Sequence, residues 1–171
     1  MRGLPMSNPI DLLIEIAKKK IVPCKWDDQP LQLIKIMANL TKGDIAEAFV
    51  VQYSKELGFD VANKIGRLGD YDVEINGKTF EVKMATEDIS GNFQFNHIRY
   101  DYKYNFLLCL GVSPADICFD IFTKADVATG KAGTLVTMGR GQNASFKLTK
   151  PKNVLHPIGE FKDTIRTLCY G

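Results

Sequence analysis

The chain has 171 residues, with 22 Lys and Arg against 20 Asp and Glu, and a formal net charge of +2. This length suits one domain with a sizeable core, and so weak a net charge excludes nucleic-acid binding through the overall field of the molecule alone. No apolar run is long enough to cross a bilayer and no signal peptide opens the sequence, which predicts a cytoplasmic protein without a membrane partner.

Two helices are predicted in an N-terminal helical extension that covers residues 1–41. Asn8 followed by Pro9 is typical of an N-cap and a proline at the first helical position. Apolar residues then recur with helical spacing and predict a buried stripe: Ile10, Leu13, Ile14 and Ala17. A second helix is predicted after Pro30 from a similar series: Leu33, Ile34, Met37 and Leu40. Trp26, in the loop between the two helices, is predicted to anchor that loop to the core.

A third helix is predicted from about Asp44 to Leu57, with Gly58 as its C-terminal cap. Asp44 and Glu47 have the spacing of an N-cap residue and the third helical residue, which predicts a capping box. The carboxylate of Glu47 is equally available to a functional site. The sequence leaves both roles of Glu47 open.

The segment from residue 69 to residue 83 is the most informative part of the chain. Asn76-Gly77 is the strongest two-residue signal for a hairpin turn, because both central residues of a type I′ turn need a positive φ. Counting outward from the turn gives opposed pairs, and opposed side chains share one face. One face is apolar and is expected to enter the core: Tyr71, Val73, Ile75, Phe80 and Val82. The other face is charged: Asp70, Asp72, Glu81 and Lys83.

Asp72 and Glu81 are directly opposed in this register. Two neighbouring carboxylates repel each other unless a positive charge lies close to both. A divalent cation and the ammonium of Lys83 would both supply that charge. The charged face of the hairpin is therefore a candidate metal site.

The pattern Asp72-x8-Glu81-Val82-Lys83 resembles the active-site signature of the PD-(D/E)xK nuclease superfamily, which includes most type II restriction endonucleases. Tyr71 replaces the usual proline before the aspartate. The resemblance implies an α/β fold with a restriction-endonuclease-like core, in which helices flank a mixed β-sheet in the order αβββαβ. It places a catalytic core at residues 42–130 and C-terminal strands and a closing helix at residues 131–171, within one nuclease domain.

The resemblance also implies roles for individual residues. Mg²⁺, for which Mn²⁺ would substitute, is expected to bind Asp72, Glu81 and the backbone carbonyl of Val82, and Lys83 is expected to orient or deprotonate the attacking water. Glu47 resembles an acidic residue on the helix before the hairpin that helps to hold the metal. Gln94 resembles a glutamine that follows the E-x-K strand and lies close to the active site.

The rest of the chain alternates strand-like and helix-like segments. The apolar run at residues 105–112 predicts a central strand covered on both faces, and residues 117–123 predict its neighbour. A short helix near Lys124, two strands around a glycine-flanked loop and a final helix complete the order. Cys109 and Cys118 lie within the apolar strands and are predicted to be buried free thiols.

Two polar segments are candidate DNA-contacting surfaces. The first extends from residue 92 to residue 103, although an amphipathic element with one solvated face would have the same pattern. Its candidate residues are Asn96, His97, Arg99, Tyr100 and Lys103. The second is the loop 139–143, where a flexible solvent loop is the alternative. Its side chains carry donors and acceptors of the kind that read base edges: Arg140, Gln142 and Asn143.

Together these features predict a metal-dependent DNA endonuclease of restriction type that cuts duplex DNA, in a prokaryotic or phage context. A homodimer is expected, because a two-fold dimer would bring two single-strand cutting sites to a palindrome. Two alternatives stay open: a structure-selective or DNA-repair nuclease such as a junction resolvase, and a nuclease-fold DNA-binding protein whose site is vestigial.

Overall fold

The computed structural model describes residues 8–62, 71–99, 101–142 and 144–171, and it contains two β-sheets flanked by helices. The helices are α1 (Pro9–Lys18), α2 (Gln32–Ile36), α3 (Asn39–Glu56), α4 (Lys124–Thr129) and α5 (Phe161–Tyr170). The strands are β1 (Val61–Ala62), β2 (Val73–Ile75), β3 (Lys78–Thr86), β4 (Asn92–Ile98), β5 (Phe106–Val112), β6 (Ile117–Thr123), β7 (Leu135–Thr137), β8 (Phe146–Pro151) and β9 (His156–Pro157).

The larger sheet has six strands in the order β1-β2-β3-β5-β6-β9, and only the β3–β5 pair within it is parallel. The smaller sheet has three antiparallel strands in the order β4-β8-β7. The chain crosses from β3 to β5 through β4 of the smaller sheet, and the described residues between β3 and β5 form no helix. The mixed α/β sheet is therefore present, whereas the predicted order αβββαβ is not confirmed.

The larger sheet lies between two layers. One of its faces packs against α3 and α5, through a cluster that includes Val50, Phe80, Leu108 and Phe161. The opposite face packs against the smaller sheet, and that second cluster includes Phe93, Phe95, Leu107, Cys109 and Leu148. Since successive residues of a strand point to opposite faces, β5 supplies both clusters and is almost fully buried, as predicted for residues 105–112.

The hairpin register predicted from Asn76-Gly77 is confirmed over the three innermost pairs. Asn76 and Gly77 have φ values of 48° and 74°, as a type I′ turn requires. The ladder pairs Val73 with Phe80, and two further pairs lead to the turn. The predicted pair of Asp70 with Lys83 lies outside the described residues.

The pairing changes at Asp72, and the predicted placement of Tyr71 and Val73 on one face is wrong for this reason. The amide of Asp72 donates to the carbonyl of Phe80 at 2.9 Å, which departs from the regular ladder. Tyr71 therefore packs against the cluster under the smaller sheet, whereas Val73 packs against the helices. The sequence placed Tyr71 and Val73 on one face because a strict period of two cannot anticipate a bulge.

Helix α3 begins five residues earlier than predicted. It starts at Asn39 with Ala38 as its N-cap, so Gly43 and Asp44 lie within the helix. The predicted capping box of Asp44 and Glu47 is therefore wrong. The helix continues upstream because the amide of Lys42 donates to the carbonyl of Ala38 at 3.0 Å, and Gly43 weakens a helix without ending it. The helix also runs through the predicted boundary between residues 41 and 42.

The N-terminal segment is only partly as predicted. Helix α1 has its predicted cap, in which the Asn8 side chain accepts from the amide of Ile10 at 3.0 Å. Its apolar stripe is exposed, however: Ile10, Leu13 and Ile14 are 67%, 68% and 46% exposed. Trp26 is buried, as predicted. No helix of the described residues is long and apolar enough to span a bilayer.

Cys109 and Cys118 are buried free thiols, as predicted. Cys118 faces Gly111 across the β5–β6 pair. A Cβ atom on Gly111 would lie 2.8 Å from the Cys118 Sγ and 3.0 Å from the Phe93 Cζ. Gly111 therefore lets the smaller sheet approach the larger one closely.

Gly111→Ala is expected to destabilise the protein by about 1–3 kcal/mol, because the added methyl group overpacks the contact between the sheets. Urea unfolding measures the loss. Gly159→Ala is the matched control, since a Cβ atom there meets nothing within 4 Å and the glycine has no positive φ. Equal stability of the two variants would show that the sheets are not in this close contact.

Candidate active site

Three charged residues meet where β2 separates from β3. The Lys83 Nζ lies 2.5 Å from the Glu81 Oε1, with both side chains on one face of β3. Asp72 reaches the same point from β2, and its Oδ2 accepts from the amide of Val82 at 2.8 Å. The bulge at Asp72 therefore directs this carboxylate toward β3, where a regular strand would continue the backbone ladder.

Glu81 is a buried carboxylate, with only 3% of its surface exposed. Burial raises the pKa of Glu81 above its usual value, the charge of Lys83 opposes that rise, and the neighbouring Asp72 adds to it. The two carboxylates are thus close enough to sense each other. Lys83 alone does not fully compensate the charge of Glu81 in this environment.

The donor set fits a hard divalent cation. It offers the carboxylates of Asp72 and Glu81 and the backbone carbonyl of Val82, all of them oxygen donors. Mg²⁺ is often bound by one or two carboxylates together with water and substrate phosphates. Within the described ranges, no group of three or more His, Cys, Asp or Glu side chains could hold a metal ion. Asp72, Glu81 and the Val82 carbonyl are the groups that could hold a divalent cation here.

Glu81→Gln is expected to stabilise the protein at pH 8 in metal-free buffer. Folding raises the pKa of Glu81, so its contribution to stability is fully present below its unfolded value, near 4.5, and is lost as the pH rises through the folded value. Glutamine carries no charge, so the variant does not lose this stability at high pH. The partly exposed ammonium of Lys83 is then hydrated by solvent. Melting curves from pH 4 to pH 8 measure the difference.

The advantage of Glu81→Gln should shrink toward acidic pH, where Glu81 is protonated in both folded and unfolded chains. A variant that melts below the parent at pH 8 would show that the pair with Lys83 outweighs the cost of burial.

A cleft of about 350 Å³ adjoins this point and runs along β3 from Lys83 to Thr86. Beyond Phe80, no described residue pairs with β3 on the side of β2. One wall is the first turn of α3, and the other is β4. The wall residues from these two elements are Asn39, Lys42, Gly43, Gln94, Asn96 and His97.

Gln94 lines the same cleft as Lys83. Its side chain hydrogen-bonds to Asp88, which also lines the cleft. Glu47 is half-buried on α3, one helical turn after Gly43, and does not line the cleft. Its catalytic role stays a prediction, as do the roles of the other site residues.

The two predicted DNA-contacting segments lie side by side. Ser145 Oγ is 3.5 Å from His97 Nδ1, and the His97 amide donates to the Met138 Sδ at 3.4 Å. The Arg99 Nη2 donates to the carbonyl of Gln142 at 3.3 Å. The tip of the β7–β8 connection therefore packs against the end of β4.

Arg99 has internal partners that hold this region together. It forms an ion pair with Asp101 at 2.6 Å, and its guanidinium lies 4.8 Å from the centre of the Tyr102 ring. These contacts leave Arg99 less available to DNA than the exposed side chain of Arg140. Tyr100 and Asn143 lie outside the described residues.

Lys42 is a cleft residue that the sequence analysis missed. Its Nζ donates to the carbonyl of Lys35 at 3.2 Å, and burial followed by the charge of Lys35 lowers the pKa of Lys42. Lys42 was overlooked because the helix was predicted to begin at Asp44, which left Lys42 in a loop. A cation in the first turn of α3 therefore faces the same cleft as Lys83.

No family model matches the chain, and no curated protein matches it. Among solved structures, the chain is similar to a bacterial homing endonuclease, I-Ssp6803I, with 17% sequence identity and a TM-score of 0.47. That similarity covers 78% of this chain and 93% of the other. At this TM-score the likeness adds no weight to an assignment of fold family or function.

Proposed function

We propose that the protein is a metal-dependent DNA endonuclease. The observation that carries the proposal is the meeting of Asp72 and Glu81 with Lys83, which lines a cleft. Two adjacent carboxylates can bind a cation, and the lysine beside them can donate or accept a proton. Lys42 and several side-chain amides along the cleft suit a phosphate-rich ligand.

Phosphodiester hydrolysis needs an oriented water and compensation of the charge that develops on the phosphate. Mg²⁺ held by Asp72, Glu81 and the Val82 carbonyl would supply positive charge for that purpose. Lys83 would leave Glu81 and hydrogen-bond to the attacking water or to a phosphate oxygen. The amide of Val82 keeps the Asp72 carboxylate pointing toward β3, so Asp72 would stay in place when Lys83 changes partner.

Duplex DNA cut at a short defined sequence is the substrate that we propose, with Mn²⁺ able to replace Mg²⁺. The adjacent segments at the ends of β4 and β7 offer an extended polar surface next to the cleft. A homodimer would place two such sites on a palindrome. The nearby amides and Arg140 have the hydrogen-bonding groups that distinguish base pairs in the major groove.

A cleavage assay tests this proposal. The purified protein is incubated with plasmid and phage DNA in Mg²⁺, in Mn²⁺ and in EDTA. Sequencing of the new ends should show cuts at one short sequence, in the presence of either metal only. Random ends would contradict restriction-type cleavage, and a strong preference for branched junctions would favour a resolvase. Tight DNA binding with no cleavage in either metal would favour a vestigial site.

A further inference from the structure

Strand β4 presents a row of amides on one side. Asn92, Gln94 and Asn96 alternate with Phe93 and Phe95, both of which are fully buried between the two sheets. The Oδ1 of Asn96 has no hydrogen-bond partner among the described residues. A side-chain amide both donates and accepts, and Asn or Gln can contact adenine through two hydrogen bonds.

The row continues onto the neighbouring strand β8. Thr149 pairs with Gln94 across the β4–β8 ladder, and Lys147 pairs with Val136 of β7 on the other side. Thr149 is exposed, and its hydroxyl makes no hydrogen bond within the part of the chain that the structure describes. Lys147 likewise forms no ion pair there. Both side chains point away from Leu148, which is buried against the larger sheet.

No acidic residue occurs in any of the three strands of the smaller sheet. Its outward face therefore carries amides, a hydroxyl and a lysine, and the Asp88 carboxylate beside it hydrogen-bonds to Gln94. This face is continuous with the cleft, because Gln94 and Asn96 belong to both.

We propose that the β4–β8 pair enters the major groove of duplex DNA and selects the sequence that is cut. The inference rests on the proposed nuclease function and names how that site chooses its substrate. A two-stranded ribbon fits the major groove, which is about 12 Å wide. Asn92 and Thr149 contact base edges, and Lys147 contacts a phosphate.

The geometry also fixes where the recognised bases lie. Thr149 is the cross-strand neighbour of Gln94, and Gln94 shares the cleft with Lys83. The bases that this face reads therefore lie near the cut phosphate.

The test compares Thr149→Val and Lys147→Ala with the parent on a pool of random-sequence duplexes in Mg²⁺. At one position next to the cut, Thr149→Val should discriminate between base pairs about five- to 150-fold less than the parent does. Lys147→Ala should weaken binding to all sequences alike and lower the salt slope of binding by about one. Thr167→Val and Lys162→Ala on α5 are matched controls, because α5 packs on the opposite side of the larger sheet.

Unchanged sequence preference and salt dependence in both variants would overturn the inference while leaving the nuclease function intact. If the parent does not cleave, bound duplexes are selected from the same pool without divalent ions. A shift in the bound sequences caused by Thr149→Val would then support this face and contradict the nuclease function. A parent that neither cuts nor binds duplex DNA would overturn both. Melting temperatures equal to that of the parent confirm that the exposed substitutions leave the fold unchanged.

Discussion

Lys83→Ala is expected to lower the rate of DNA cleavage about a hundredfold to ten-thousandfold, because a positioned proton donor or acceptor typically contributes that much. Lys83 is the cation closest to Glu81, at 2.5 Å, and it lies at the mouth of the cleft. Its removal takes away the group that would orient the attacking water. Single-turnover cleavage of a plasmid measures the rate, with Lys162→Ala as a control for the loss of a lysine elsewhere.

Glu81→Ala should show a loss of the same order, because it removes one of the two carboxylates that we propose to hold the metal. The variant should remain folded, as its circular dichroism spectrum would show. If Lys83→Ala keeps more than about a tenth of the parent rate, Lys83 has no catalytic role. It would then serve only as an ion-pair partner of Glu81.

Phe93→Ala is expected to destabilise the protein by about 3–5 kcal/mol, because the side chain is fully buried between the two sheets. For a chain of this length the melting temperature should fall by about 6–20 °C. Thermal unfolding measures the change, and Tyr170→Ala is the control, since that aromatic side chain is 74% exposed.

The same substitution tests how the cleft is built. Phe93 directly precedes Gln94 in β4, so loosening of the smaller sheet should also weaken DNA cleavage below the melting temperature. A Phe93→Ala protein as stable as Tyr170→Ala would contradict the packing of the smaller sheet against β5.

Local signals were sufficient to predict the hairpin and the strands β5 and β6. The Asn76-Gly77 turn fixes its own register, because its backbone geometry leaves few other pairings. The apolar run of β5 and the turn into β6 were predicted for the same reason, since both depend on neighbours in the sequence. The meeting of Asp72 with Glu81 follows from that turn.

Features that depend on distant contacts could not be predicted. The pairing of β4 with β8 joins residues 48 to 59 positions apart, and alternation in β4 shows that one side is buried without showing its partner. The start of α3 was misplaced because Gly43-Asp44 has the local chemistry of a helix start. The bulge at Asp72 moved Tyr71 to the other cluster, although the bulge itself keeps Asp72 at the site.

The central claim is tested most directly by plasmid cleavage. The conversion of supercoiled plasmid is measured as a function of Mg²⁺ concentration for the parent and for Asp72→Ala. The parent should cut the plasmid only when the metal is present, and Asp72→Ala should leave it supercoiled at every concentration while melting as a folded protein. Full cleavage by Asp72→Ala, or cleavage by the parent in EDTA, would contradict the assignment of a metal-dependent site to Asp72, Glu81 and Lys83.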